Sequence, residues 1–220
     1  MDTPTEKTQN SASQGDGTPG GGCFLCALPV DLVIFKDKNF VWLAGLGPLV
    51  DGYSLLAVRQ HIRSMADIPT ELVSERDALV GRVHQTLSER YGRCLITEHG
   101  RMVVCNDGDV DPHCYHGHFL LFPGVHDISS AAESYFGRCS HFDSLSAAMA
   151  HAATCDEYVL ISPNPEQFNV FSVPLNIPRQ FTRVLVAASI GKLTQAHWMD
   201  YPERERALAI ASDLKNRREW

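Results

Sequence analysis

CYHGHFLLFP, residues 114–123, is the stretch on which the reading of this chain turns. Phe119 to Phe122 form an apolar run suited to a buried central strand, and Pro123 ends it. Two histidines break that character. Side chains alternate between the faces of a strand, so His116 and His118 are expected on the same side, with Gly117 between them. Two imidazoles buried together are costly unless they are paired or used. The run is therefore the expected centre of a sheet and also the expected seat of chemistry.

Outward from it, the chain is rich in short β-prone runs. VDLVIF (30–35), FVWL (40–43) and YSLLAV (53–58) are separated by KDKN and the turn-rich AGLGPLVDG, and RCLITE (93–98) and RMVVC (101–105) follow. Between the two groups, Pro69 opens a segment in which Leu72, Leu79, Val80, Val83, Leu87 and Tyr91 recur at helical spacing up to Gly92. Downstream, Leu145, Ala148, Met149 and Ala152 predict a short helix capped by Asp143 or Ser144. YVLIS (158–162) and FNVFSV (168–173) predict a hairpin around PNPEQ, and residues 178–190 and 202–217 predict two more helices. Strands arrive in groups without strand–helix alternation, which favours an antiparallel α+β layer with packed helices over a doubly wound sheet. Residues 1–21 are polar and read as a disordered leader, and 22–220 as a single domain with a helical C-terminal extension from about residue 175.

Composition narrows the functional classes. The 220 residues carry 19 Lys and Arg against 26 Asp and Glu, a formal net charge of −7, which argues against a broad basic surface for nucleic acid. No run approaches the roughly 20 apolar residues of a spanning helix, and the first residues show no targeting pattern, so a cytoplasmic protein is expected. Seven cysteines, an odd count with two in the close pair Cys23 and Cys26, point to thiols or metal ligands. Cys23-Phe24-Leu25-Cys26 has the spacing that lets two thiolates hold one tetrahedral ion, and His61 and His116 are the natural candidates to complete it. A thioredoxin-like redox pair is the rival, but that motif precedes a helix, whereas a Pro and a β-prone run follow here.

GYSLLAVRQHIRSMADI (52–68) resembles the G-h-x-L-h-x-P-x-x-H block of the histidine-triad superfamily, which includes the galactose-1-phosphate uridylyltransferase branch. EHG (98–100) followed by CYHGHFLLFP is similar to the bacterial pattern in which EHG precedes a strand of type H-A-H-h-H-h-h-P. FVWLAGLGPLVDGYSLL and IPRQFTRVLVAASIGKLTQAHW (177–198) resemble flanking segments of the same subgroup, so the likeness runs from Cys23 to Trp198.

The resemblance implies a histidine-triad fold, an α+β antiparallel sheet of about five strands with packed helices, and a reaction at phosphorus through a covalent nucleotidyl-histidine. Two registers are open: a triad of His116, His118 and Leu120 with His118 as nucleophile, or Cys114, His116 and His118 with His116 as nucleophile. Pro123 and the small Gly117 favour the first. In that register Leu120 replaces a histidine and can neither donate a hydrogen bond nor protonate a leaving group; His99, His113, Gln180 and Arg183 are candidate substitutes. The resemblance further implies a structural zinc on Cys23, Cys26, His61 and His116. A nucleotide or other phosphorylated small molecule would be the ligand, and a homodimer the assembly. The leading expectation is a nucleotide hydrolase or nucleotidyltransferase. The alternatives are a catalytically silent, zinc-stabilised nucleotide-binding protein, or a scaffold recruited to a phosphorylated metabolite. Cys94, Cys105 and Cys139 read as packed thiols, and His84, His126, His141, His151 and His197 carry no motif.

Overall fold

The computed structural model of the chain describes residues 23–102, 116–173, 177–178 and 180–216. The expected leader, most of the RMVVC run, His113, Cys114 and Arg179 lie outside the described residues.

The expected antiparallel α+β layer is present, with eight strands among the described residues instead of about five. They are β1 (Val33–Lys36), β2 (Phe40–Ala44), β3 (Ser54–Val58), β4 (Cys94–Gly100), β5 (His118–Pro123), β6 (Ser140–Phe142), β7 (Tyr158–Asn164) and β8 (Gln167–Ser172). Their order across the sheet is β1-β2-β3-β5-β4-β7-β8-β6, every neighbour antiparallel. The strand that sequence pattern does not announce is β6: three residues, partly exposed, with no apolar alternation, held only by pairing with β8. Such a strand exists because a longer neighbour offers it hydrogen bonds, not because of its own propensity.

Five α-helices complete the described residues: α1 (Val73–Tyr91), α2 (Ser129–Phe136), α3 (Leu145–Ala152), α4 (Phe181–Ser189) and α5 (Arg204–Lys215). Alternation along β2, β3 and β5 divides their side chains between two cores. Phe40, Trp42, Leu56, Phe119 and Leu121 pack on one face with Leu79, Val83 and Leu87 of α1, Ala148 of α3 and Ile210 of α5. Leu43, Leu55, Leu120 and Phe122 pack on the other with Phe181 and Leu185 of α4, Ala132 of α2 and the N-terminal Cys23 and Leu25. The helix expected from Pro69 begins with a 3-10 turn, Thr70–Leu72, and stops at Gly92, whose φ of 87° a side chain would strain. Ser144 is the cap of α3, its Oγ accepting the Ala147 N–H at 3.4 Å.

The centre of the sheet differs from expectation in one respect that matters for the site. β5 begins at His118, so His116 and Gly117 lie ahead of the strand. Gly117 is still tied to its surroundings: its N–H donates to Ile62 O at 2.8 Å and its carbonyl accepts from Val58 N–H at 3.3 Å. The loop after β3 passes so close that a Cβ on Gly117 would stand 2.6 Å from the Ser64 carbonyl carbon. Only glycine allows that approach, and it brings His61 and His116 to one place.

Candidate functional site

Cys23, Cys26, His61 and His116 come together with their ligand atoms all within 4.8 Å of one another. A tight turn, in which Cys23 O accepts the Cys26 and Ala27 N–H groups at 3.1 and 3.0 Å, brings the two thiols to one side. Cys23 Sγ lies 3.5 Å from His116 Nδ1, and Cys26 Sγ lies 3.1 Å from His61 Nδ1 and 3.6 Å from His116 Nδ1. In a tetrahedral zinc site, metal–sulfur and metal–nitrogen bonds of ordinary length place S and N about 3.6 Å apart, so these edges suit one ion. His116 Nε2–H donates to Val58 O at 2.6 Å, which leaves Nδ1 as the lone pair facing the sulfurs. Burial, with Cys23 alongside, pushes the Cys26 thiol up to about 11, and burial holds the His116 imidazole down at about 4. Without a cation, then, Cys26 keeps its proton and the His116 imidazole is neutral; the donor set is the one a soft divalent cation takes.

The support beneath this cluster comes from residues outside the metal set. Arg59 donates from Nη1 to Asp37 O and Lys38 O, both at 3.0 Å, closing the loop after β3 onto the β1–β2 turn. Glu98, the acid of EHG, lies on the opposite face of the sheet from His99. Its Oε1 accepts the Met65 N–H at 2.7 Å and its Oε2 the Tyr158 hydroxyl at 2.5 Å. Arg101 pairs with Asp67 and donates to Ala153 O and Cys155 O, each at 2.8 Å. A Glu in a β-prone run gives no sign in sequence that it will be buried as a clamp on a distant loop.

His118 stands at the start of β5, paired with Ala57 of β3. Its Nδ1–H donates to His116 O at 2.6 Å, so its Nε2 carries the free lone pair. Burial above all, with His99 nearby, pushes its imidazole below the ordinary range and so favours the neutral ring. β4 and β5 pair as Thr97 with Leu120, and two residues further along the same register stand His99 and His118. His99 Nε2–H donates to Glu157 at 2.5 Å, with both side chains almost fully buried. Thr97 Oγ1, His99 Nδ1 and Glu157 Oε2 are buried without a hydrogen-bond partner among the described residues. Buried polar atoms left this way call for a polar ligand or water.

Leu120 is 9% exposed and packs in the core shared with Leu55 and Phe122. Gln180, at φ 58° ahead of α4, accepts the Trp198 N–H on Oε1 at 3.3 Å. Arg183 is not on a solvated helix face. It is 2% exposed, donates to Ala196 O at 3.0 Å and Gly47 O at 2.8 Å, and covers the Tyr53 ring. The structure also assembles a set that sequence reading passed over: Glu133, Cys139 and His141, their ligand atoms within 4.8 Å. Cys139 is half-buried and packs against the second core, as expected of it, and the C-x-H spacing of Cys139 and His141 was the only sign of this set in sequence.

No family model matches this chain, and no curated protein sequence does. Among solved structures it is similar to the C. elegans NitFhit protein, at 15% identity and a TM-score of 0.35, over 44% of this chain and 22% of that one. It is similar to a Zn-bound histidine triad family protein from Mycobacterium smegmatis, at 20% identity and 0.35, over 48% and 76%. A member of the HIT family from Bacillus subtilis is similar at 16% identity and 0.36, over 46% and 70%. The chain thus spans 22% of the worm protein. Likeness of this degree does not bear on what the site does, which rests on the side chains described above.

Proposed function

We propose that this chain is a histidine-triad protein that breaks a phosphorus–oxygen bond of a nucleotide, as hydrolase or nucleotidyltransferase, with His118 as nucleophile. The observation that carries this reading is the His118 imidazole, whose Nδ1–H is held by a backbone carbonyl while Nε2 keeps its lone pair. Nε2 attacks phosphorus, an N–P bond forms, and the P–O bond to the leaving group breaks with its electron pair on that oxygen. Water or a phosphate acceptor then attacks the same phosphorus, the N–P pair returns to Nε2, and the proton that the acceptor loses restores the group that protonated the leaving oxygen. Leu120 offers the leaving oxygen no proton. His99 is assigned that part: with Nε2–H held by Glu157, its protonated ring donates from the otherwise unpartnered Nδ1. Cys23, Cys26, His61 and His116 would hold zinc. A closed thiolate–imidazole set of this kind ties chain segments together, here fixing the residue two before His118.

The test is intact-protein mass spectrometry and product analysis after incubation with ADP, UDP and a dinucleotide. Wild type is expected to form a nucleotidyl adduct or release a nucleoside monophosphate, and His118→Ala to do neither while keeping its metal. Unchanged turnover in His118→Ala overturns the reading. A second reading, a silent nucleotide binder, is favoured by one observation, Leu120 packed into the core where a proton donor would serve. Nucleotide binding by wild type without adduct or product would select it. The same native spectra report whether the protein pairs as a homodimer.

A further inference from the structure

We propose that Glu133, Cys139 and His141 form a second metal site, for a zinc-type divalent cation, at the β6 edge of the sheet. Cys139 Sγ lies 3.8 Å from Glu133 Oε1 and 3.7 and 3.6 Å from Nδ1 and Nε2 of His141, and the three ligand atoms lie within 4.8 Å of one another. Ligands around one tetrahedral zinc ion stand about 3.6 Å apart, so the two edges from sulfur have nearly that length, and a turn of the exposed His141 ring brings Nε2 onto a shared ion.

An independent feature aims the imidazole. His141 and Asn169 are directly opposed in the β6–β8 pairing, and His141 Nδ1 lies 2.8 Å from Asn169 Oδ1. A chain of one-way hydrogen bonds decides which atom donates. The Asp127 carboxylate can only accept, so the Ser129 hydroxyl donates to it at 2.6 Å. Ser129 Oγ therefore accepts from Asn169 Nδ2 at 2.7 Å, which turns the amide oxygen towards His141. That oxygen can only accept, so Nδ1 carries the proton and Nε2 is left as the lone pair. Asn169 is 1% exposed, so the orienting group is buried while Glu133 and His141 open to solvent. Metal-binding histidines are held in this way, by a hydrogen bond from the other ring nitrogen.

The electrostatics agree. The Glu133 and Asp127 carboxylates near Cys139 attract a cation, and binding releases the thiol proton to water. Three protein ligands leave the fourth position to water or a small anion. The ligands come from α2, the loop after it and β6, none of which contributes to the His118 site, so this inference stands apart from the proposed reaction.

The experiment is metal stoichiometry by native mass spectrometry and elemental analysis, after loading the full chain with Zn2+ and removing excess. Wild type is expected to hold one equivalent more than Cys139→Ser and one more than His141→Ala, with thermal unfolding of both variants almost unchanged. Loading with Co2+ is expected to lose part of its thiolate-to-metal absorption in Cys139→Ser, and the larger remaining part in Cys26→Ser. Equal zinc content in wild type and both variants overturns the proposal.

Discussion

The two Cys/His clusters of this chain are built from nearly the same chemistry but differ in what their ligands join. In the first, Cys23 and His116 are 93 residues apart, and Cys26 and His61 are 35 apart. In the second, Cys139 lies 6 residues from Glu133 and 2 from His141. Closing a long loop removes more freedom from the unfolded chain than closing a short one. By the logarithmic law, a 93-residue closure is worth about 2 kcal/mol more than a 6-residue one. The first cluster is therefore a cross-link of the fold and the second an attachment to it. Their supports differ in the same sense. A backbone carbonyl, Val58 O, orients His116, whereas a side-chain amide, Asn169, orients His141.

The largest test of that contrast is removal of the first cluster. Cys26→Ser, or stripping the metal with a chelator, is expected to cost about 3–5 kcal/mol, roughly 10 °C in Tm by calorimetry. A cost no greater than that of the edge variants would erase the distinction. The next effect concerns the clamp on the loop that carries His61. Burial, opposed by the Met65 and Tyr158 hydrogen bonds, raises the Glu98 carboxyl to about 7 from 4.5. The folded state therefore holds this proton up to a higher pH than the unfolded chain does. The stability it contributes is full below 4.5, is lost as pH climbs to 7, and stays lost above, a change on the order of 3 kcal/mol. Glu98→Gln removes that dependence, so urea midpoints should show the variant gaining on wild type between pH 4.5 and pH 8; a constant gap would refute the burial argument.

A smaller loss is expected from Gly117→Ala, whose new Cβ meets the Ser64 backbone 2.6 Å away. Overpacking against backbone costs about 2–3 kcal/mol. Zinc affinity should fall with stability, because the same displacement separates His61 from His116. Retained affinity would mean that the loop moves as a unit. Cys139→Ser, at the partly exposed edge, should change the unfolding free energy by no more than about 0.5 kcal/mol.

Much of this was legible in the chain. The apolar run ending at Pro123, the helical spacing up to Tyr91 and the hairpin about PNPEQ each lie within one element, where periodicity is local. The C-x2-C spacing and the two histidines were likewise readable, since the ligand types themselves state the chemistry. The part of the site that escaped is the part that depends on register. Glu98 and His99 are neighbours in sequence with opposite fates, one clamping Met65 beneath the sheet and the other bonded to Glu157 above it. Arg183 has the spacing of a surface helix residue, yet α4 turns it inward onto Ala196 O and Gly47 O.

What the sequence by itself determined, then, is where most of the strands and helices form and which side chains offer metal-ligand chemistry. The tertiary structure alone decided that β6 exists and that His141 stands against Asn169. Each of these depends on a partner brought in by strand pairing: β8 for β6, and Asn169 for His141. Such pairings answer to the hydrogen-bond register of the whole sheet, which no window of neighbouring residues contains.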